Sequence, residues 1–204
     1  MVLYFTTLLQ FLFLLAPFFV VSMFLSLTKG YSPERKRSTI NRAITAALVV
    51  ILILFFFGQA LFKMLGITLD AFRVGAGILL FLSAVSLVNS GTRTQAVTPD
   101  DEDSGDDVAV VPLAMPIMVG PATIGAILVI SATFESWLEM TLGLAGVLSA
   151  LVILRFILTL ANTLQDYLGK TGLNILSKMT GLVLAAMAAE IVFTGIRNLM
   201  SITV

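Results

Sequence analysis

The stretch that decides the fold is VVPLAMPIMVGPATIGAILVIS, residues 110–131, which places three prolines inside a long apolar run. Proline removes a backbone hydrogen-bond donor and clashes with the preceding turn of a helix. A second apolar run, LLAPFFVVSMFLSLT (14–28), also carries a proline directly after a small residue. Both stretches are therefore predicted to form helices that are interrupted within an apolar segment.

The composition indicates a protein that needs a non-aqueous solvent. Of the 204 residues, 58% are hydrophobic and 12% are charged, and the mean hydropathy is +1.05. A soluble domain has about a quarter of its residues charged, so we expect an integral membrane protein. The chain has twelve basic and twelve acidic residues but neither cysteine nor histidine, which excludes thiolate and imidazole chemistry. We expect no catalysis, cofactor, metal site or nucleic-acid partner.

Six segments are long and apolar enough to cross a bilayer, which requires about 20 apolar residues. The alternation typical of a membrane barrel is absent from them, so an all-α membrane protein is predicted. The six predicted spans, of which the first and fourth are the interrupted ones, are residues 5–28, 41–63, 68–89, 110–131, 137–161 and 173–199.

Basic residues in the connecting loops predict the orientation, because lysine and arginine favour the cytoplasmic side. The first, third and fifth loops carry eight basic residues, against two at the edges of the second. We therefore expect these three loops in the cytoplasm and both termini outside. The third loop, residues 90–109, is acidic and polar and is predicted to be a flexible cytoplasmic linker. It separates a first half, residues 1–89, from a second half, residues 110–204.

The two halves align with each other at an almost constant separation. The Ala-Pro pair at 16–17 matches the Gly-Pro pair at 120–121, and GQALFKMLG (58–66) matches ANTLQDYLG (161–169). Since each half has an odd number of spans, the second half enters the membrane from the opposite side. The sequence therefore predicts two inverted three-helix repeats, an arrangement typical of many secondary transporters.

The two interruptions are the predicted substrate site. A broken helix leaves backbone N–H and C=O groups unpaired, which is tolerated at membrane depth only where protein or water covers them. The N-terminus of a half-helix carries partial positive charge and binds carboxylates. The alternative is that the prolines only kink continuous spans. The predicted substrate-binding residues are Ala16, Pro17, Phe18, Phe19, Pro116, Gly120, Pro121, Ala122 and Thr123.

Four of the charged residues inside the predicted spans are candidates for a function, because a charge within the membrane is costly. We place Arg155 and Glu190 near the middle of the fifth and sixth spans. There they either form a structural ion pair or leave Glu190 to bind and release protons. Arg73 and Lys178 begin the third and sixth spans. Each of these two either extends towards the lipid headgroups or caps the broken helix of its own half.

Small residues in the third span are expected to allow close contact with another helix. Gly75 and Gly77 flank Ala76 there, and small residues of this kind let the backbones of membrane helices approach each other.

The chain resembles the MarC family of six-helix membrane proteins along essentially its whole length. The most specific segment is VPLAMPIMVGPATIGAILV (111–129), supported by FRVGAGILLFLSAVSLV (72–88) and LSKMTGLVLAAMAAEIVFTGI (176–196). The family typically has Asn-Pro or Asp-Pro where this chain has Ala16-Pro17, so the first half-site here is more apolar. The resemblance implies six transmembrane helices in a bacterial or archaeal cytoplasmic membrane and transport of small neutral amino acids.

The sequence and the resemblance together predict a secondary transporter of small neutral amino acids or similar solutes that works by alternating access. The expected partners are the lipid bilayer, the solute and a coupling proton or sodium ion, and assembly into a homo-oligomer is left open. The alternative is a structural or scaffold membrane protein that transports nothing. An intramembrane enzyme is the least favoured class, because few catalytic side chains remain without histidine and cysteine.

Overall fold

A computed structural model of the protein describes residues 2–89, 118–134 and 136–202. Helices make up nearly all of these ranges, and no strand occurs within them. The all-α class predicted from the sequence is therefore confirmed. The helices, numbered along the chain, are α1 (Val2–Leu14), α2 (Pro17–Leu27), α3 (Pro33–Leu65), α4 (Leu69–Asn89), α5 (Pro121–Ala132), α6 (Trp137–Thr159) and α7 (Ala161–Ile202).

Five helical segments in the described ranges are long and apolar enough to span a membrane. α1 and α2 together supply one of them, and α3, α4, α6 and α7 supply the others. α5 is apolar but has only 12 residues. The rest of the predicted fourth span, residues 110–117, lies outside the described residues, as does the predicted linker at 90–109. Five of the six predicted spans are thus confirmed as apolar helices. The remaining one, the predicted fourth span, is supported by its second half, which forms α5.

The first span is interrupted at Ala16, where the backbone is left-handed with φ 44° and ψ 61°. Among the described residues, Ala16 alone combines a side chain with a positive φ, and this conformation costs about 1–2 kcal/mol. Pro17 follows as the first residue of α2, a position where the missing N–H is not needed. The proline therefore starts a new helix instead of bending a continuous one.

α3 begins earlier than predicted and includes the basic run that the sequence analysis assigned to the first loop. The Ser32 side chain accepts a hydrogen bond from the Arg35 backbone N–H at 3.3 Å, and Pro33 occupies the first turn. Both features are typical of a helix start. The basic side chains at 35–42 therefore project from the first turns of α3 and not from a loop.

α7 changes direction at Gly169, whose φ of 64° and ψ of 175° lie outside the helical region. Glycine adopts a positive φ without the steric penalty of a side chain. Residues 162–168, which precede this point, were predicted to belong to the fifth loop and are helical instead. The predicted sixth span, 173–199, lies entirely in the longer segment that follows Gly169.

α4 and α7 form the most extensive helix pair among the described helices. They run antiparallel, since Gly77 lies beside Val192 whereas Gly181 lies beside Val88. α5 packs against α3 and α4, while α2 packs against α6 and α7. α2 and α5 therefore lie against opposite members of the α4–α7 pair. Buried side chains from all seven helices form one continuous core.

Candidate functional site

The first break, at the junction of α1 and α2, leaves backbone donors unpaired. The N–H of Ala16 donates to the carbonyl of Phe13 at 2.9 Å. Pro17 has no N–H, and the N–H groups of Phe18 and Phe19 have no acceptor among the described residues. Ala16 and Pro17 are buried, and the two phenylalanine side chains are half-buried. The start of α2 therefore presents two unpaired N–H groups in a largely apolar, buried setting.

The second break lies at Gly120, which is extended with φ −85° and ψ 175°, and Pro121 then begins α5. The N–H groups of Ala122 and Thr123 have no acceptor in the described part of the chain. Thr123 is only 8% exposed, and its hydroxyl forms no hydrogen bond with a described residue. This break therefore adds the hydroxyl of a mostly buried threonine to two unpaired backbone donors.

The two breaks share the same construction. In each, a non-helical residue precedes a proline that starts a helix, and two N–H groups of the first turn remain unpaired. Ala16 and Ala122 belong to the same continuous cluster of buried side chains. Pro116, the remaining predicted site residue, lies outside the described residues. Because helix N-termini attract anionic groups, both breaks suit the oxygen atoms of a carboxylate.

The chemical groups at the breaks are backbone groups and one hydroxyl. Within residues 2–89, 118–134 and 136–202, no cluster of three or more acidic, histidine or cysteine side chains could hold a metal ion.

Arg155 is hydrogen-bonded to Asn41 and not to Glu190, which corrects the ion pair suggested by the sequence. Its Nε donates to Asn41 Oδ1 at 3.1 Å. Arg155 also lies only one turn before the end of α6 at Thr159, and not near the middle of the span. Glu190 is exposed on α7 and forms no hydrogen bond or ion pair with a described residue.

Arg73 pairs with Asp70 at the start of α4. Its Nη1 lies 2.6 Å from Asp70 Oδ1, and Asn198 of α7 donates to the same oxygen at 3.0 Å. The side chains of Arg73 and Asp70 are 14% and 18% exposed. Asp70 therefore links the start of α4 to the end of α7, and no hydrogen bond joins Arg73 to the described residues of the first break. Lys178 is half-buried and has no hydrogen-bond partner among the described residues.

Gly77 makes the close helix contact that the sequence predicts, whereas Gly75 does not. A Cβ atom on Gly77 would lie 2.6 Å from Val192 Cγ2, while nothing lies within 4 Å of one on Gly75. A Cβ atom on Gly181 would lie 2.9 Å from Val88 Cγ2. Gly181 and Val192 each follow Gly77 and Val88 by 104 positions, so the same contact occurs twice with the two helices exchanged.

The apolar helices and the two matching breaks define a multi-pass integral membrane protein built around interrupted helices. The chain belongs to the MarC family of integral membrane proteins, whose family model matches residues 1–200. The resemblance found in the sequence is thereby confirmed.

Relatives of similar length occur in archaea and bacteria. The UPF0056 membrane protein MJ1677 of Methanocaldococcus jannaschii is 32% identical, covering 91% of this chain and 91% of the relative. A UPF0056 membrane protein of Aquifex aeolicus is 31% identical, covering 98% of this chain and 94% of its own. The UPF0056 membrane protein YvbG of Bacillus subtilis is 29% identical, covering 88% and 87%. No solved structure matches the chain significantly.

Proposed function

We propose that the protein is a secondary transporter that moves a small neutral amino acid, or a similar small solute, by alternating access, and that it has no catalytic activity. The observation that carries this proposal is the pair of helix breaks in a buried, apolar setting. The left-handed conformation of Ala16 costs about 1–2 kcal/mol, and each unpaired buried N–H costs about 1–3 kcal/mol. Strained and unpaired backbone of this kind is typical of sites where a ligand completes the hydrogen bonding.

The first break supplies acceptors for the ammonium group of an amino acid. The carbonyls of Leu14 and Leu15 lack the N–H partners that a continuous helix would give them, because α1 ends there. The last turn of a helix carries partial negative charge. These carbonyls therefore suit a cationic group such as the ammonium of the substrate or a coupling sodium ion.

The second break supplies donors for the carboxylate. The N–H groups of Ala122 and Thr123 and the Thr123 hydroxyl lie at the positive end of α5. The apolar side chains of Phe18 and Phe19 would surround a small substrate side chain. This assignment requires the two breaks to face each other across the core to which both belong.

Two inverted three-helix halves, residues 1–89 and 110–204, provide the mechanism for alternating access. The reciprocal contacts of Gly77 with Val192 and of Gly181 with Val88 are those expected from an internal two-fold axis. The packing of α2 against α7 and of α5 against α4 has the same relationship. In transporters with such repeats, one half rocks against the other around a fixed central site.

We further propose that the protein lies in the cytoplasmic membrane with both termini outside. The basic residues at the start of α3 would then lie on the cytoplasmic side. Arg155 and Asn162, which are at the same end of the helix bundle, would lie there too. An accessibility assay on single cysteines introduced at Ser38 and at Tyr4 tests this orientation, because the chain has no native cysteine. Labelling of Ser38→Cys from outside intact cells would contradict it.

Uptake into proteoliposomes tests the transport function directly. We expect labelled alanine, glycine or serine to enter liposomes that contain the protein and not liposomes without it. An imposed pH gradient or sodium gradient then identifies the coupling ion, if one is used. The Thr123→Val variant keeps the shape of the side chain but removes the hydroxyl, so its KM should rise about tenfold for the loss of one hydrogen bond.

The matched control for this substitution is Thr141→Val, since Thr141 is exposed on α6 and its hydroxyl bonds only its own helix. It should transport as the unchanged protein does. Equal effects of both substitutions would remove Thr123 from the substrate site.

The scaffold alternative has one observation in its favour, which is that the side chains around the first break are all apolar. Ala16, Phe18 and Phe19 offer a solute no polar side-chain group. If the purified protein transports none of the amino acids and none of them raises its thermal unfolding midpoint, the scaffold function replaces the transport function.

A further inference from the structure

A cavity of about 560 Å³ lies at the end of the bundle where α3 begins and α6 ends. It is separate from the two helix breaks. Its charged lining residues are Lys36 and Arg37 from α3 and Arg155 from α6, and no acidic side chain from residues 2–89, 118–134 or 136–202 lines it. A cavity with three cationic groups and no carboxylate attracts an anion.

Neutral amides, and not carboxylates, hold two of these cations in place. Lys36 Nζ donates to Asn162 Oδ1 at 3.1 Å, and Arg155 Nε donates to Asn41 Oδ1 at 3.1 Å. An amide oxygen orients a cation without cancelling its charge. Each cation uses one N–H in this way, which leaves the terminal guanidinium nitrogens of Arg155 and the other protons of Lys36 to bind an anion.

The N-terminus of α3 borders the cavity, and the acidic residue of its first turn, Glu34, does not line it. Pro33, the first residue of that helix, lines the same space as Lys36 and Arg37. The N-terminus of a helix carries partial positive charge, which favours phosphate groups. Three cationic side chains and a helix N-terminus therefore surround one space.

An apolar surface continues from the cavity along the outside of α6. Val152 and Phe156 line the cavity and are 67% and 65% exposed. They lie on a membrane-spanning helix, so their exposed faces meet acyl chains. The combination of a basic cavity at the end of the bundle and an adjoining apolar helix face matches the two parts of a phospholipid. A free anion has no acyl chain that could contact this apolar helix face.

We propose that this cavity binds the phosphate headgroup of an anionic phospholipid, with one acyl chain lying along Val152 and Phe156. The site links α3, α6 and the start of α7, so the bound lipid stabilises the packing of these three helices. Basic pockets between membrane helices are a known mode of recognition for acidic headgroups.

Lipid titration of the purified full-length protein tests this proposal. The probes are phosphatidylglycerol and phosphatidylcholine, and the readouts are the lipid retained in native mass spectrometry and the thermal unfolding midpoint. We expect phosphatidylglycerol to be retained and to raise the midpoint, with little effect of phosphatidylcholine. Each of the substitutions Lys36→Gln, Arg37→Gln and Arg155→Gln should weaken phosphatidylglycerol binding about fivefold, and all three together about a hundredfold.

The control variants Lys170→Gln and Arg197→Gln remove exposed basic residues that do not line the cavity. They should bind phosphatidylglycerol as the unchanged protein does. If they lose as much affinity as the cavity variants, the binding is a general effect of net charge and the assigned site is wrong.

The Asn41→Asp variant separates loss of binding from loss of folding. It keeps the hydrogen bond to Arg155 and places a carboxylate beside the guanidinium. We expect the unfolding midpoint without lipid to be retained and phosphatidylglycerol binding to fall. Unchanged phosphatidylglycerol binding in this variant overturns the proposal. Inorganic phosphate and glycerol phosphate are the last probes. If either raises the midpoint as phosphatidylglycerol does at the same concentration, the site binds soluble anions and the lipid assignment is wrong.

Discussion

Gly77 of α4 packs against Val192 of α7 so closely that a Cβ atom on the glycine would lie 2.6 Å from the valine Cγ2. The backbone of α7 is also near, with the Ala188 carbonyl oxygen 3.1 Å from that position. Rotation of the valine alone therefore does not make room for a methyl group. The reciprocal contact of Gly181 with Val88 has the same character, since the Ala84 carbonyl oxygen would lie 3.0 Å away.

We predict that Gly77→Ala and Gly181→Ala each lower the free energy of unfolding by about 1–3 kcal/mol, because the helices must move apart to accept the methyl group. Thermal unfolding in detergent measures the effect. Gly75→Ala is the control in the same helix: nothing lies within 4 Å of its Cβ position, so the better helix propensity of alanine should leave stability unchanged or raised by up to about 1 kcal/mol. A loss at Gly75 equal to that at Gly77 would mean that α4 does not approach α7 on this face.

We predict that Ala16→Gly leaves stability unchanged or raises it by up to about 1 kcal/mol. Release of the left-handed strain stabilises the folded state by about 1–2 kcal/mol. Loss of the buried methyl group and the greater entropy of the unfolded chain lower the stability by about 1 kcal/mol. Ala186→Gly is the matched control at an exposed, regular position of α7, where glycine should cost about 0.5–1 kcal/mol. Equal losses for the two substitutions would show that Ala16 is not left-handed.

We predict that Asp70→Ala destabilises the protein by about 1–3 kcal/mol, because it leaves the mostly buried Arg73 guanidinium without its partner and Asn198 without its acceptor. The double variant Asp70→Ala with Arg73→Ala should lose less than the sum of the single variants, and a double-mutant cycle measures that coupling. Asp166→Ala provides the comparison, since Asp166 is exposed and its removal should change stability by no more than about 0.5 kcal/mol. Strictly additive effects at Asp70 and Arg73 would rule out the ion pair.

Local features of the fold could be predicted from the sequence because their causes lie within a few residues. The break before Pro17 and the helix start at Pro121 follow from the missing proline N–H, whatever the rest of the chain does. The membrane spans could be predicted because a run of about 20 apolar residues is long enough to cross a bilayer. The starts of α3 and α7 were placed too late, because their basic and polar first turns were assigned to loops.

Contacts between distant segments could not be predicted in the same way. The bond between Arg155 and Asn41 joins residues that are 114 positions apart, and no periodicity indicates which polar groups meet at the end of the bundle. Gly75 and Gly77 were both expected at a helix contact, but residues two positions apart face nearly opposite sides of a helix. Only the packed structure shows which of the two meets α7. The almost constant offset between the halves, which is 103 positions from Gly66 to Gly169 and 104 from Pro17 to Pro121, was the one signal of the reciprocal glycine contacts.

We predict that Glu190→Gln leaves amino acid uptake unchanged, including its dependence on an imposed pH gradient. Glu190 is exposed on α7, whereas Ala188 and Leu184 on the opposite face of that helix are buried in the core that contains the breaks. A group that carries the coupling proton must meet the solute pathway, and the outer face of α7 does not. Uptake into proteoliposomes with and without a pH gradient measures the effect. Thr123→Val is the comparison variant, and its KM for uptake is expected to rise. If Glu190→Gln abolishes the gradient dependence while keeping downhill exchange, then Glu190 carries the proton and the solute pathway includes the outer face of α7.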